Sequence, residues 1–190
     1  MNVFFDKVRR LWIQLHYVFI IDGHKKAEWL RKHHVFHYIG DNVFIKTTRL
    51  PAEPFLVAIH NNVRLAADVR LVTHSLTNVV FNNYTGTDQF YCQHGKIEIH
   101  DNVFVGAGAT IMYGVTIGKN CIIAAESVVT KDVPSGSVVA GVPARIISTF
   151  EESMEKARAF SDKYKGKNLK GRTVADLVEA CPIIFDIDRE

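Results

Sequence analysis

The sequence is poor in cysteine and nearly balanced in charge. Its 190 residues include 3 cysteines, which lie far apart at Cys92, Cys121 and Cys181. Their number and spacing argue against a disulfide framework and a cysteine-based zinc site, so we expect a reducing, cytoplasmic environment. Lysine and arginine outnumber aspartate and glutamate by only 23 to 20, a net charge of +3. This small excess gives no reason to expect nucleic acid as a partner.

Long hydrophobic runs are also missing. The most apolar stretch, LWIQLHYVFII at residues 11–21, is too short to span a bilayer, and no small-residue cleavage site follows it. We therefore expect neither a signal peptide nor a membrane-spanning helix. Apolar residues in this region recur at helical spacing, which predicts an amphipathic helix that packs on the domain or on a sister subunit. Asp22 is a suitable N-cap for a second helix.

A six-residue repeat dominates the chain between Ile99 and Pro134. The first position of each unit is aliphatic: Ile99, Val105, Ile111, Ile117, Ile123 and Val129. The fifth position is small or β-branched: Val103, Ala109, Val115, Cys121, Ser127 and Val133. This period fits neither an α-helix nor a plain β-strand. It is typical of a β-helix, in which three units form one triangular coil and stacked coils bury the first column.

The same register begins earlier and is interrupted twice. It starts at Ile39, is broken by PAEP at residues 51–54, and resumes at Ile59. It stops again over residues 77–96, which carry no aliphatic hexad and are predicted to form an inserted loop. Long loops inside compact folds are usually functional, and the amide and aromatic content of this one suits a polar ligand.

These limits divide the chain into three segments. Residues 1–36 are predicted to hold the N-terminal helices, and residues 37–148 the β-helix with its inserted loop. Residues 149–190 are predicted to form a C-terminal helix and a tail. Thr149 and Glu152 make a capping-box pattern at the start of that helix.

The run DNVFVGAGATIMYGVTIGKNCIIAAESVVTKDVPSGSVVAGVPARII at residues 101–147 resembles the C-terminal coils of hexapeptide-repeat acetyltransferases. Within that family it is most similar to the galactoside, maltose and surface-polysaccharide O-acetyltransferases. With the earlier hexads, the resemblance covers residues 39–148. It implies an all-β solenoid, a left-handed parallel β-helix with helices at both ends. It also implies a homotrimer with active sites between adjacent chains, and acetyl-CoA as co-substrate without a metal.

Acetyl transfer from a thioester to a hydroxyl needs a base, a donor for the developing oxyanion, and a fixed coenzyme A arm. The resemblance places the base at His74, in LVTHSL directly before the inserted loop. An imidazole suits this role because its ordinary pKa is close to neutral pH. Ala107, in the GAGA corner, matches the position whose backbone N–H binds the oxyanion. The predicted catalytic residues are therefore His74 and Ala107.

Several positions match those that hold coenzyme A in the family. Phe104 stands where relatives often have tryptophan, and Lys131 and Arg145 match cations that meet the phosphates. The backbones at Ala125 and Thr130 match contacts to the pantetheine and adenine ends. The predicted set is Phe104, Ala107, Ala125, Thr130, Lys131 and Arg145.

The acceptor side departs from the galactoside-type pattern. An asparagine and an aspartate that bind the sugar in those enzymes correspond here to Lys46 and Pro54, neither of which replaces them. We therefore expect the inserted loop to recognise the acceptor. Asp68, one hexad before His74, is a candidate neighbour for the imidazole. The predicted substrate-binding residues are Asp68, Asn82, Asn83 and Tyr84.

The sequence thus predicts an O-acetyltransferase that acts on a sugar hydroxyl in surface-polysaccharide biosynthesis. An N-acetyltransferase on an amino sugar or sugar nucleotide stays open, because the same base and donor serve an amine. A non-catalytic assembly subunit is the alternative of a different class, and His74, Lys131 and Arg145 together argue against it. A serine acetyltransferase lacks support because no DHG-type segment is present. A γ-type carbonic anhydrase lacks support because its histidine spacing is absent.

Overall fold

Two helices precede the coil. The computed structural model describes residues 3–162, with α1 over Val3–Phe19 and α2 over Gly23–Lys32. The carboxylate of Asp22 accepts a hydrogen bond of 2.8 Å from the backbone N–H of Lys25, which confirms the predicted N-cap. No helix within the described range is long and apolar enough to cross a membrane. The predicted tail, with Cys181, lies outside the described residues.

Short β-strands follow, and successive strands belong in rotation to three parallel sheets. The first face contains β1 (Tyr38–Ile39), β3 (Val57–Ile59), β8 (Ile97–Ile99) and β11 (Thr116–Ile117). The second face contains β2 (Phe44–Ile45), β4 (Arg64–Leu65), β9 (Val103–Val105), β12 (Cys121–Ile123) and β14 (Ser137–Gly141). The third face contains β5 (Arg70–Leu71), β10 (Thr110–Ile111) and β13 (Val128–Val129). The described chain therefore winds into a three-faced parallel coil.

The first column of the repeat lines the interior of this coil. Ile99, Ile117 and Ile123 are fully buried, as the hexad pattern predicts. Cys121 and Ser127, from the fifth column, are buried as well. Because side chains alternate along a strand, the residues between the buried positions point outward. The outward positions and the corners are thus the places where chemistry can occur.

The corners are built from residues with left-handed backbone. We call the junction of the first and second faces the first corner, that of the second and third faces the second corner, and that of the third and first faces the third corner. Four asparagines at the first corner have positive φ angles, and each of the first three donates a side-chain hydrogen bond of 2.8–2.9 Å to the asparagine on the next coil. They are Asn42, Asn62, Asn102 and Asn120. Asparagine tolerates this conformation better than most residues, so the ladder stabilises the register of the coils.

The inserted segment is not a plain loop, which corrects the prediction for residues 77–96. Its two ends pair as antiparallel strands, β6 (His74–Ser75) and β7 (Gln93–His94). Helix α3 spans Thr77–Thr85 and ends at Gly86, whose φ is 66°. No residue of α3 is buried. The insertion therefore projects from the third corner on a strand pair that brings His94 opposite His74.

The coil ends in an antiparallel strand and a helix. β15 (Ala144–Thr149) pairs with β14, and α4 spans Phe150–Asp162. The backbone N–H of Glu152 donates to Thr149 Oγ1 at 3.2 Å, and the N–H of Thr149 donates to Glu152 Oε2 at 3.4 Å. This reciprocal pair is the predicted capping box.

Candidate active site

His74 lies at the third corner, directly after β5, and a carboxylate holds its ring. Its Nδ1 lies 2.9 Å from Glu53 Oε2. Because an ionised carboxylate only accepts hydrogen bonds, Nδ1 is the donor and carries the proton. The other ring nitrogen, Nε2, is then the basic one. A base held in one tautomer by a carboxylate is the arrangement that proton abstraction from a hydroxyl requires.

Glu53 is itself held by Thr73. Thr73 Oγ1 donates to Glu53 Oε2 at 2.5 Å, and the backbone N–H of Glu53 donates back to Thr73 Oγ1 at 3.3 Å. Burial raises the pKa of the Glu53 carboxyl, hydrogen bonds from Thr73 and His74 and the neighbouring imidazoles of His74 and His94 lower it, and the pKa lies below its usual value. The carboxylate is therefore ionised at neutral pH and positioned before any substrate arrives.

The structure gives Glu53 the orienting role that the sequence analysis considered for Asp68. Asp68 is exposed at the second corner, where its φ of 57° serves the turn. It lies at the opposite end of β5 from His74. Glu53 reaches His74 because the PAEP segment leaves the hexad register and forms a 3₁₀ turn at Pro54–Leu56. Nothing in the hexad pattern indicates that excursion.

His94 lies across the strand pair from His74. The two ring centroids are 5.7 Å apart. With Glu53, these histidines offer three ligand atoms within 4.8 Å of one another. His94 is exposed, however, and Glu53 Oε2 already accepts hydrogen bonds from Thr73 and His74. The sequence analysis did not predict a role for His94.

A pocket of about 280 Å³ opens beside His74 on the third face. Arg49 and Arg70 lie at its rim, and Pro51 and Thr73 line it. Two guanidinium groups give this pocket a positive potential. It is a candidate acceptor site that the sequence analysis missed, because Arg49 and Arg70 lie in different coils and meet only when the coils stack.

Ala107 and Ala125 occupy the second corner on successive coils. The backbone N–H of Glu126 donates to Ala107 O at 2.8 Å, which joins the two coils. A Cβ atom added at Gly106 would lie 2.4 Å from Ala125 N, so only glycine allows this spacing. Within residues 3–162, no acceptor takes a hydrogen bond from the Ala107 N–H. This exposed amide fits the predicted oxyanion donor.

The other predicted coenzyme A residues lie on two sides of the coil. Phe104 points outward from β9 and is 46% exposed. Thr130 and Lys131 follow β13 at the third corner, two coils beyond His74. Lys131 and Arg145 line one pocket of about 400 Å³, so the structure brings the two predicted phosphate ligands together.

The structure does not bring His74 and Ala107 together within one chain. Ala107 is at the second corner and His74 at the third, so the width of the third face separates them. The sequence analysis assigned both to one catalytic centre. A centre that contains both residues needs two chains.

The predicted acceptor residues on α3 differ in what they contact. The Asn82 amide donates to Phe90 O and accepts from the Phe90 N–H, each at 2.9 Å. This side chain therefore closes the turn after α3 and has little left for a ligand. Asn83 and Tyr84 are exposed, with Tyr84 at 89%.

Residues 96–131 match the family described as bacterial transferase hexapeptide (six repeats). These residues are hexapeptide repeats. The matched segment contains β8 through β13 and the turns that follow them, with Phe104, Ala107, Ala125 and Thr130. The resemblance drawn from the sequence is thus confirmed for the second half of the coil.

Two relatives are similar in sequence to part of this chain. A Saccharomyces cerevisiae protein with a provisional acetyltransferase name, YJL218W, is 36% identical over 115 residues, or 60% of this chain and 57% of that protein. A 2,3,4,5-tetrahydropyridine-2,6-dicarboxylate N-acetyltransferase of Clostridium perfringens is 48% identical over 68 residues, or 35% of this chain and 29% of that enzyme. The chain therefore spans little more than half of the first and less than a third of the second.

Solved structures share the fold of the hexapeptide-repeat coil. A hexapeptide-repeat acetyltransferase of Vibrio cholerae has a TM-score of 0.59 at 21% identity, over 75% of this chain and 89% of that chain. A maltose O-acetyltransferase of Clostridium difficile has a TM-score of 0.58 at 24% identity, over 78% and 89%. A galactoside acetyltransferase solved with coenzyme A has a TM-score of 0.56 at 23% identity, over 78% and 82%.

Proposed function

We propose that this protein is an acetyl-CoA-dependent O-acetyltransferase that modifies a sugar hydroxyl in surface-polysaccharide biosynthesis. The observation that carries the proposal is the Glu53–His74 pair beside an open pocket. The pair supplies an oriented base, and the pocket supplies room for an acceptor. The shared fold of the maltose and galactoside enzymes supports the choice of acceptor and donor. It also supports a left-handed coil.

The reaction follows from the positions of these groups. His74 Nε2 takes the proton of the acceptor hydroxyl while the hydroxyl oxygen attacks the thioester carbonyl carbon. The Ala107 N–H donates to the oxyanion of the tetrahedral intermediate. When that intermediate collapses, the carbon–sulfur bond breaks and His74 returns the proton to the coenzyme A sulfur. Glu53 keeps the imidazole in the tautomer that both steps need.

We propose a homotrimer because the site is incomplete in one chain. His74 and the Ala107 corner lie at opposite ends of the third face, and only another chain can bring an Ala107 corner to His74. The insertion exposes apolar side chains, among them Val80 on α3 and Tyr91 beyond its end, and no residue of α3 is buried. A neighbouring chain would remove that apolar surface from water.

The acceptor is tested by thiol release from acetyl-CoA against a panel of neutral sugars, acidic sugars, amino sugars and sugar nucleotides. Turnover with a hydroxyl acceptor supports the proposal. Turnover with amines alone favours the N-acetyltransferase alternative, which the Clostridium perfringens relative also supports. Arg49 and Arg70 favour acceptors that carry an anionic group. A protein whose melting temperature does not respond to coenzyme A would instead be an assembly subunit.

Lys131→Ala and Arg145→Ala are expected to weaken donor binding. Both side chains line one pocket and are exposed, so each phosphate contact is partly screened by water. We expect the KM for acetyl-CoA to rise roughly threefold to tenfold in each variant, with kcat nearly unchanged. Dephospho-acetyl-CoA provides the comparison. If the KM rises equally for acetyl-CoA and dephospho-acetyl-CoA, the two cations do not contact the 3′-phosphate.

Glu53→Leu is expected to lower kcat about 10- to 100-fold, because loss of a hydrogen bond to a charged group costs roughly 1.5–3 kcal/mol. The KM for acetyl-CoA should stay unchanged, since Glu53 contacts Thr73 and His74 rather than the donor pocket. Glu53→Gln retains an acceptor oxygen and is expected to recover part of the loss. If the two variants have equal kcat, or if the loss appears in KM, Glu53 does not position the base.

A further inference from the structure

A second cluster of ligating side chains lies on the first face of the coil. β3 and β8 pair so that Ile59 lies beside Ile99, which places His60 and His100 at the same point of successive coils. Glu98 lies two residues before His100 and points outward, because Ile97 and Ile99 point inward. The three side chains therefore share one patch of surface and contain no residue of the proposed acetyl-transfer site.

The side chains of this patch form a hydrogen bond between His60 and Glu98, and their distances are also compatible with a shared metal ion. Glu98 Oε1 lies 3.2 Å from His60 Nε2 and 3.8 Å from His100 Nε2. All three ligand atoms lie within 4.8 Å of one another. Two ligand atoms that each bind a tetrahedral zinc ion at about 2.0–2.1 Å are about 3.4 Å apart. The separations of 3.2 and 3.8 Å fall on either side of that value.

The Nε2 atoms of the two stacked rings lie close to the same carboxylate oxygen. The imidazoles of His60 and His100 stack with centroids 4.8 Å apart and planes 22° apart. The second carboxylate oxygen, Glu98 Oε2, is held at 3.0 Å by Lys96 Nζ, which leaves Oε1 for the histidines. A ligating carboxylate held by a neighbour through its other oxygen is a common feature of metal sites. Tyr38 covers the far side of the His60 ring, with centroids 5.2 Å apart.

We propose that His60, Glu98 and His100 form a zinc-binding site on the first face of the coil. Two imidazoles and one carboxylate are a zinc ligand set, whereas magnesium and calcium prefer oxygen ligands alone. The three side chains are 29%, 24% and 30% exposed, so an ion can enter and water can fill the fourth position. The resemblance drawn from the sequence implied no metal, and spacing gave no signal because His60 is 38 positions from Glu98 and meets it only when the coils stack.

A zinc ion at this site joins two coils on either side of the insertion. His60 lies on the coil before residues 77–96, and Glu98 and His100 lie on the coil after it. Binding to the folded state alone raises apparent stability with zinc concentration. The ion is therefore expected to raise the melting temperature of the full chain, and the rise should depend on all three ligands.

The test is a zinc titration of the full chain after treatment with a chelator, with a chromophoric chelator as competitor. The wild type is expected to bind one zinc ion per chain. His60→Gln, Glu98→Gln and His100→Gln should each weaken binding about tenfold or more, since even indirect partners of a metal ligand contribute that much. Each variant should also lose the zinc-dependent rise in melting temperature. Circular dichroism and melting without metal confirm that the variants fold.

The matched control is His94→Gln, because Glu53, His74 and His94 form the other three-ligand cluster among the described residues. It should bind zinc as tightly as the wild type. If His94→Gln loses the ion and His60→Gln keeps it, zinc binds the other cluster and the proposal fails. If the wild type binds no stoichiometric zinc, the three side chains form only a hydrogen-bonded cluster and the proposal fails as well.

Discussion

His74→Ala is expected to lower kcat for acetyl transfer by about 10²–10⁴-fold, the usual contribution of a general base. In the proposed mechanism the imidazole is the base, held by Glu53 beside the open pocket, and alanine removes it without replacing its proton transfer. The KM for acetyl-CoA should change little, because Lys131 and Arg145 lie in a separate pocket. Steady-state thiol release measures both constants.

The matched control for this variant is His37→Ala. His37 is also a partly surface-accessible imidazole, but it lines a different pocket, beside Phe55 and Glu98. It should retain normal turnover. Both variants should also keep the melting temperature of the wild type, because neither imidazole lies in the core. Full activity in His74→Ala would exclude this histidine as the base, whatever the fold.

The interior of the coil could be predicted from the sequence because it depends on one-dimensional spacing. Each strand exposes alternate residues to one interior, so an aliphatic residue at every sixth position marks the buried column. Ile99, Ile117 and Ile123 follow this rule and are fully buried. The helix caps could also be predicted from the sequence, because Asp22 and Thr149 bind backbone groups within three residues.

The pairing of Glu53 with His74 could not be predicted in the same way. The two residues are separated by one full coil, and the PAEP segment that contains Glu53 departs from the hexad register. Their contact depends on how far that segment extends from the third corner. Spacing alone suggested Asp68, which shares the hexad phase of His74 but lies at a different corner.

Helix α3 was not predicted because its sequence has low helix propensity. TNVVFNNYT contains threonine, valine and asparagine, which all have low helix propensity, and its apolar residues do not form a buried face. The turn after α3 is instead closed by Asn82, which binds both backbone groups of Phe90. A contact between residues eight positions apart leaves no periodic signal in the sequence.

Ile99→Ala is expected to lower the free energy of unfolding by about 2–5 kcal/mol, the range for truncating a large aliphatic residue in a packed core. Ile99 is fully buried and lies between Ile59 and Ile117 in the interior column of the first face. Alanine leaves a cavity there that the neighbouring coils cannot easily fill, because their spacing is set by backbone hydrogen bonds. Urea unfolding at one fixed protein concentration measures the loss.

Ile147→Ala provides the matched control, because it removes the same atoms from a side chain that is 63% exposed. Its stability should change by less than about 0.5 kcal/mol. A coil in a solenoid depends on its neighbours, so the damage at Ile99 should extend along its own coil, which carries Phe104 and Ala107, and to the next coil, which carries Ala125. Ile99→Ala should therefore also weaken coenzyme A binding, although its side chain reaches no surface. If the two variants were equally stable, the interior aliphatic column would not be the main source of the stability of the coil.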